Sequence, residues 1–319
     1  VLIRERFARA TEQHGGARLA LGNLDRRQLG AVHLLEIDQF ARRSDDREGH
    51  APVVLLRLGI GVAEAVVGGE RPVTVNLPET LASPAPLLIL LHSASTSGAH
   101  QENYMKLGPV AKKNGIIYIA PDGMTNPEGK RFWNAAKSCC NRYKEEVDDV
   151  AYINSLIDEI SKKTPVDPKR IYLIGHSNGA FMSFTFACKS NKVAAIVAIA
   201  GAMDQSPDCT PSTPVSLLNI HGTADKTIKV TGGSMNDSPY TSAKSTVTRI
   251  ALANKCSSPA ITKKDFEPTI KGPETTVFNY SCESHTHLQY WKIANGSHSP
   301  KLPSDFAEQV ISFLLKQSK

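Results

Sequence analysis

The feature that most constrains the fold of this chain is an alternation of short apolar runs and amphipathic helical patterns after about residue 70. The apolar runs are typical of strands buried on both faces of a sheet. Between them, residues 148–163 repeat apolar side chains at helical spacing, and residues 304–316 predict a final helix capped by Ser304. The predicted strands span residues 73–77, 87–92, 116–120, 171–174, 193–200, 215–220 and 288–293. This alternation predicts an α/β protein with a mainly parallel central sheet and helices on both faces.

The composition is typical of a globular protein, with 41% hydrophobic and 21% charged residues in a chain of 319. The best apolar stretch, residues 53–67, is interrupted by Arg57 and Glu64 and falls short of the ~18 residues that a membrane helix needs. We therefore predict that the protein is not an integral membrane protein. The formal net charge is +6, but the lysines are scattered, which argues against a nucleic-acid partner.

A change in the basic residues marks a boundary near residue 70. Residues 1–71 contain eleven arginines and no lysine, whereas the rest of the chain contains four arginines and 22 lysines. We interpret residues 1–60 as an N-terminal extension of uncertain role and residues 61–319 as the main domain. One interpretation is that the extension is an appended or upstream segment without a function in the main domain. The other is that it forms a cap on the main domain.

Residues 175–179 read Gly-His-Ser-Asn-Gly and place a serine between a predicted strand and a predicted helix. The strand ends at Ile174, and the helix over residues 180–188 carries aromatic side chains at helical spacing. A turn this tight exposes the serine hydroxyl and needs glycine wherever a Cβ would clash. The pattern matches the G-x-S-x-G nucleophile elbow, and we predict that Ser177 is a nucleophile.

A serine nucleophile needs a base that accepts its proton and an acid that orients the base. Asp225 follows a predicted strand and a Gly turn, where the acid is expected. His298 lies in the loop between the last predicted strand and the final helix, and we predict that it is the base. His221 sits at a strand end and is interpreted as structural, while His285 and His287 precede the last strand and are weaker candidates.

The charge that develops on an attacked carbonyl oxygen needs backbone N–H donors, which form an oxyanion hole. One donor is expected from Asn178, the residue directly after the nucleophile. The other is expected from the loop after the early buried strand, and we assign it to Ala94 with Ser93 as its neighbour. Backbone donors have no side-chain signature, so this assignment depends on the position in the chain alone.

The cysteines show no C-x-x-C spacing of a zinc site. An even number without metal spacing favours disulfides and an oxidising compartment, with reduced core thiols as the alternative. We therefore predict a secreted or periplasmic protein whose signal peptide is not visible in this sequence. Cys256 is expected to pair with Cys282, whereas the adjacent Cys139 and Cys140 are expected to reach two different partners. The full set is Cys139, Cys140, Cys188, Cys209, Cys256 and Cys282.

Eight motifs follow one another from about residue 61 to the end of the chain. They are GGERPVTVNLP, PLLILLHS, YIAPDG, FWNAAKSCCN, VDDVAYI, RIYLIGHSNGAFMSFTFAC, IHGTADKTI and YWKIANGSH. In this order they resemble the secreted polyhydroxybutyrate-depolymerase-like esterases, which include bacterial feruloyl and acetylxylan esterases. The resemblance implies an α/β-hydrolase catalytic domain over residues 61–319 that acts on carboxylic esters without a metal or organic cofactor. It also implies structural disulfides and the roles given above to Ser177, Asp225 and His298.

One position departs from the pattern of this family. The family usually has His-Gly after the early strand, and this chain has His92-Ser93. A Cβ at that position would narrow or shift the loop that carries the second oxyanion donor. The departure is also the one feature that supports a non-catalytic binding protein on a hydrolase scaffold.

The sequence predicts a serine carboxylic ester hydrolase that acts on short-acyl or feruloyl-type esters, small or polymer-linked, through an acyl-enzyme. A polyhydroxyalkanoate depolymerase is the alternative enzyme. Candidate substrate-binding residues are Trp133, which lies in the stretch that shapes the site, Trp291 and His176. The two tryptophan rings would stack on an aromatic acid or a sugar, or else pack in the core. The chain has no H-E-x-x-H cluster, and we predict neither a metal site nor a cofactor.

Overall fold

The computed structural model describes residues 65–206, 209–283 and 286–319, all within a compact unit that runs from Glu64 to Lys319. The N-terminal extension over residues 1–60 and the weaker candidate His285 lie outside the described residues. The boundary between the extension and the catalytic domain therefore stays a prediction.

Each strand that the sequence predicts overlaps a strand of the structure, and the structure contains further strands that the sequence does not predict. The strands are β1 (Ala65–Val67), β2 (Val73–Val75), β3 (Ala85–Leu91), β4 (Ile117–Ile119), β5 (Met124–Thr125), β6 (Arg131–Phe132), β7 (Val166–His176), β8 (Ala195–Ile199), β9 (Ser216–Gly222), β10 (Gly233–Met235), β11 (Ser238–Tyr240), β12 (Ala260–Lys264), β13 (Thr275–Ser281) and β14 (His287–Ile293). The helices are α1 (Gly98–Met105), α2 (Leu107–Lys113), α3 (Asp149–Lys163), α4 (Asn178–Lys189), α5 (Ala243–Ala253) and α6 (Phe306–Leu314). None of these helices is long and apolar enough to span a bilayer.

Eight strands form the central sheet in the order β12-β13-β14-β9-β8-β7-β3-β4. From β14 to β4 every neighbouring pair is parallel, whereas β12 and β13 are joined by antiparallel pairing at one edge. Strand β7 lies inside the sheet, with Tyr172 opposite Leu88 of β3 and Ala195 of β8. This topology confirms the predicted mainly parallel sheet.

Alternate side chains of the inner strands pack into two cores, one on each face of the sheet. In β3, Leu87 and Ile89 belong to one core, and Leu88 and Leu90 belong to the other. Helices α3, α4 and α5 cover the first core, and α1, α2 and α6 cover the second. A strand covered on both faces is apolar along its whole length, which explains the unbroken apolar runs in the sequence.

The sequence pattern does not predict the two strands at the antiparallel edge. Strand β12 is exposed at its first four positions, and β13 is buried at only two. Neither strand has the apolar run by which a buried strand is recognised. The last helix also begins later than predicted, at Phe306, with Asp305 as its N-cap and no side-chain capping bond. The cap assigned to Ser304 is therefore wrong.

Three disulfides join the six cysteines. They are Cys139–Cys140, Cys188–Cys209 and Cys256–Cys282. The expected bond between Cys256 and Cys282 is present, but the expectation that Cys139 and Cys140 reach different partners is wrong. The remaining four cysteines pair among themselves, which leaves these two only each other.

Replacing Cys256 and Cys282 together by alanine is expected to lower the free energy of unfolding by about 3 kcal/mol, because the disulfide closes a long loop in the unfolded chain. The two cysteines are 26 residues apart. Urea denaturation followed by circular dichroism measures the change. Leu252→Ala on α5 is the control, since Leu252 is 75% exposed and its removal should leave the midpoint nearly unchanged. An unaltered midpoint in the double variant would contradict the prediction.

Candidate active site

Ser177 lies in a sharp turn between the end of β7 and the first residue of α4. Its backbone has φ 54° and ψ −117°, a conformation that residues other than glycine rarely adopt. A Cβ on Gly175 would lie 2.2 Å from the carbonyl group of Gly179, and a Cβ on Gly179 would lie 2.1 Å from the carbonyl oxygen of Leu91. Only glycine fits at either position, so the spacing of the motif is a steric requirement of the turn.

His298 bridges Ser177 and Asp225. Its Nε2 lies 2.9 Å from the Ser177 Oγ, and its Nδ1 lies 2.8 Å from the Asp225 Oδ2. An ionised carboxylate only accepts hydrogen bonds, so Nδ1 carries the proton and Nε2 is free to accept the proton of the serine. The carboxylate is fully buried, whereas 21% of the His298 side chain is exposed. The structure thus brings together the three residues that the sequence assigns to nucleophile, base and acid.

The Asp225 carboxylate accepts hydrogen bonds on both oxygens. Its Oδ1 accepts the backbone N–H groups of Thr227 and Ile228 at 2.8 and 2.9 Å. The Nε2 of His221 lies 3.3 Å from the Asp225 Oδ2 and 2.8 Å from the Ile228 carbonyl oxygen. Burial by itself raises the pKa of a carboxyl group, but the hydrogen bonds from His221 and His298 outweigh it and hold the pKa of Asp225 well below its usual range. The Asp225 carboxyl group is therefore ionised at neutral pH, and the hydrogen bond from His221 helps to keep it ionised.

Among residues 93–96 of the loop after β3, one backbone N–H group has no acceptor within the described residues. This group belongs to Ala94, for which the described residues provide no partner. The loop begins against the elbow, since a Cβ on Gly179 would also lie 2.8 Å from the His92 carbonyl oxygen. The other N–H groups of residues 93–96 donate as follows: Ser93 to the Gln101 Oε1 at 3.1 Å, Ser95 to the Arg131 carbonyl at 2.8 Å, and Thr96 to the Ser93 carbonyl at 3.3 Å.

The backbone N–H group of Asn178 also has no acceptor among the described residues. Asn178 is the first residue of α4, and the first N–H groups of a helix have no acceptor inside it. The helix N-terminus also carries a partial positive charge, which favours an anion beside Ser177. Asn178 and Ala94, to which the sequence assigns an oxyanion hole, thus each keep an N–H group without an acceptor among the described residues, and their role stays a prediction.

The side chain of Ser93 is used inside its own loop. Its Oγ lies 3.2 Å from the Thr96 Oγ1, which in turn donates to the Ser93 carbonyl oxygen at 2.8 Å. The Gln101 side chain, buried on α1, accepts the Ser93 N–H, so within residues 93–96 only Ala94 keeps a free backbone donor. No sequence motif marks Gln101, because a buried polar side chain within a helix follows no recognisable spacing.

The two tryptophans predicted to bind substrate are core residues. Trp133 has no exposed surface, and its indole N–H donates to the His92 carbonyl oxygen at 3.1 Å. Trp291 on β14 packs against Phe266 with ring centroids 5.4 Å apart, and the Lys264 Nζ lies 3.5 Å above its ring. Neither ring offers a free face to a substrate, so of the two alternatives that the sequence left open, core packing holds for both rings, and their assignment as substrate-binding candidates is wrong. Packing across the sheet, which the sequence does not reveal, decided their exposure.

His176, the third candidate for substrate binding, lies behind the base. It is 4% exposed, and its Nε2–H donates to the backbone carbonyl of His298 at 2.9 Å. Its ring lies 5.2 Å from the ring of His298 and 5.6 Å from that of Tyr104. Tyr104 in turn donates to the Pro300 carbonyl oxygen. These contacts fasten the loop that carries the base to the end of β7, and they leave His176 little surface for a substrate.

The sequence is similar to those of known esterases. A family model described as phospholipase/carboxylesterase matches residues 79–264, more than half of the chain. Feruloyl esterase B of Piromyces equi is 30% identical over 255 residues, which cover 75% of this chain but only 45% of that protein. Feruloyl esterase D of Neurospora crassa is 27% identical over 261 residues, which cover 77% of this chain and 79% of that protein. These similarities confirm the resemblance that the motifs indicate.

A solved structure shows the same fold. An acetyl xylan esterase from Aspergillus awamori matches with a TM-score of 0.57 at 13% sequence identity, covering 80% of this chain and 99% of that one. This likeness agrees with the parallel sheet, and it confirms the predicted α/β-hydrolase fold. The chain belongs to the phospholipase/carboxylesterase family of α/β-hydrolases.

Proposed function

We propose that this protein is a serine carboxylic ester hydrolase that works through an acyl-enzyme. The observation that carries the proposal is the hydrogen-bonded chain from Ser177 through His298 to Asp225, with distances of 2.9 and 2.8 Å. Such a chain activates a hydroxyl that is otherwise a poor nucleophile. Ser93 takes part in the contacts of its own loop, which argues against a non-catalytic scaffold protein.

The first half of the reaction acylates the serine. The Ser177 Oγ attacks the ester carbonyl carbon while its proton passes to the Nε2 of His298. The carbonyl oxygen becomes an oxyanion, which accepts hydrogen bonds from the N–H groups of Asn178 and Ala94. The Asp225 carboxylate stabilises the imidazolium that forms. His298 then donates its proton to the leaving alkoxide, the ester bond breaks, and the alcohol departs.

The second half of the reaction frees the acid. A water molecule gives a proton to the Nε2 of His298 and attacks the acyl carbon. The second oxyanion accepts hydrogen bonds from the same two N–H groups as the first. Collapse of this intermediate breaks the bond to the Ser177 Oγ, which recovers its proton from His298. The enzyme returns to its starting state without a redox change.

We infer that the substrates are short-acyl or feruloyl-type esters. The names of the relatives from Piromyces and Neurospora support this class, since both are called feruloyl esterases. They do not favour a polyhydroxyalkanoate depolymerase. The three disulfides support a secreted or periplasmic location, because disulfides persist in oxidising compartments.

In this proposal, the neutral side chain of His176 holds the loop of the catalytic base, His298, in position. Burial lowers the pKa of its imidazole to about 4, against a partial opposing effect of the hydrogen bond to the His298 carbonyl. The Nε2–H donor is therefore present without a positive charge at neutral pH. A charge on His176 would repel the imidazolium that His298 becomes during the reaction.

Ser177→Ala is expected to lower the hydrolysis of p-nitrophenyl acetate and methyl ferulate by at least about 10³-fold, because the nucleophile is lost. A p-nitrophenyl ester series from acetate to dodecanoate, measured on the unaltered protein, defines the preferred acyl length. Ser161→Ala is the matched control, since Ser161 is exposed on α3 and bonds only to its own helix. Equal activity of Ser177→Ala and the unaltered protein would overturn the proposal.

His176→Gln is expected to make the thermal midpoint less sensitive to acid. The unfolded histidine binds a proton below about pH 6.5, whereas the folded one stays neutral down to about pH 4. The stability contributed by this difference is complete above pH 6.5 and is lost as the pH falls towards 4. Gln keeps an N–H donor but does not titrate, so the midpoint of the unaltered protein should fall more steeply between pH 7 and 4.5. If the thermal midpoints of the two proteins, measured by scanning calorimetry, change in parallel with pH, His176 does not have this role.

A further inference from the structure

A single segment, residues 131–133, connects the two loops that carry the oxyanion donors. On one side, the Arg131 carbonyl accepts the Ser95 N–H at 2.8 Å, next to Ala94. On the other side, the Asn178 side chain makes two bonds with the backbone of Trp133. Its Oδ1 accepts the Trp133 N–H at 2.7 Å, and its Nδ2 donates to the Trp133 carbonyl at 2.9 Å.

The Trp133 side chain extends this connection to the residue before the second donor loop. Its indole N–H donates to the His92 carbonyl at 3.1 Å. The His92 Nε2 accepts the Gly123 N–H at 2.8 Å, so the ring proton is on Nδ1, which donates to the Ser93 carbonyl at 2.8 Å. That carbonyl belongs to the same peptide unit as the Ala94 N–H. A continuous path of hydrogen bonds therefore runs from Asn178 through Trp133 and His92 to the peptide of Ala94.

The path lies in the interior of the protein. Asn178, Trp133 and His92 have no exposed surface, so water does not replace their hydrogen bonds. The indole is packed between the His92 ring at 5.0 Å and the Tyr152 ring at 6.5 Å. Its position is thus fixed by rings on either side as well as by its hydrogen bond.

We infer that Trp133 is a positioning residue that sets the separation of the two oxyanion donors, the N–H groups of Asn178 and Ala94. It touches no reacting atom. An oxyanion needs both donors at about 2.7–3.1 Å, and a misplacement of about 1 Å costs on the order of 10²-fold in rate. The inference rests on the proposed function, because it assigns a role within ester hydrolysis.

The test removes the indole N–H and keeps an aromatic ring. Trp133→Phe is expected to lower kcat for p-nitrophenyl acetate about 10-fold or more and to leave KM within about twofold, because the donors act on the transition state. Phenylboronic acid forms a tetrahedral adduct with an active serine, and its inhibition constant should rise by a similar factor. A residue that only filled the core would not weaken the boronate selectively.

Tyr152→Phe is the matched control. Tyr152 stacks on Trp133, and its hydroxyl donates to the Arg71 carbonyl at 2.7 Å, so this variant also loses one aromatic hydrogen bond to the backbone. Its kcat and boronate inhibition should stay within about twofold of those of the unaltered protein. Thermal midpoints of both variants show whether they are equally folded at the assay temperature.

A second replacement covers the case in which Trp133→Phe does not fold. 3-Benzothienylalanine at position 133 has the shape of tryptophan with sulfur in place of the N–H, so it leaves no cavity. It should show the same loss of kcat and of boronate binding. Full activity of the protein that carries 3-benzothienylalanine would overturn the positioning role of Trp133. Equal losses of kcat in Trp133→Phe and Tyr152→Phe would also overturn it. Failure of the unaltered protein to hydrolyse any ester would instead overturn the proposed function itself.

Discussion

The turn at Ser177 is the constraint on which the rest of the site depends. With φ at 54°, the chain passes from β7 into α4 within one residue, and the neighbouring strands hold it there. The Ser177 N–H donates to the Ile199 carbonyl on β8 at 2.8 Å, and Gly179 lies directly against Leu91 at the end of β3. The strands on both sides of β7 therefore keep the hydroxyl in place before any substrate arrives.

Four parallel strands lead to the proposed reacting groups at one end of the sheet, as expected for open α/β sheets. Strand β3 leads to Ala94, β7 to Ser177, β9 to Asp225 and β14 to His298. The acid and base loops are in backbone contact, since a Cβ on Gly222 would lie 2.2 Å from the Gly296 carbonyl oxygen. The short distances around His298 thus depend on the packing of strands that are far apart in the sequence.

The fold and the reacting residues could be predicted because buried parallel strands are unbroken apolar runs, and their ends locate Ser177, Asp225 and His298. Exposure could not be predicted in the same way. Tryptophan is a residue type that substrate-binding sites often contain, and only the packing around Trp133 and Trp291 shows that both are core residues. The same limit applies to the exposed edge strand β12 and to the pairing of Cys139 with Cys140, since the partner of a cysteine is set by distances in the folded chain.

The most direct test of the account is the crystal structure of the protein after reaction with diethyl p-nitrophenyl phosphate. This reagent transfers a diethylphosphoryl group to an activated serine and leaves a P=O oxygen in the position of the oxyanion. The account predicts phosphorus bonded to the Ser177 Oγ, with that oxygen about 3 Å from the backbone nitrogens of Asn178 and Ala94. A phosphoryl group on another residue, or an oxygen directed away from both nitrogens, would contradict it.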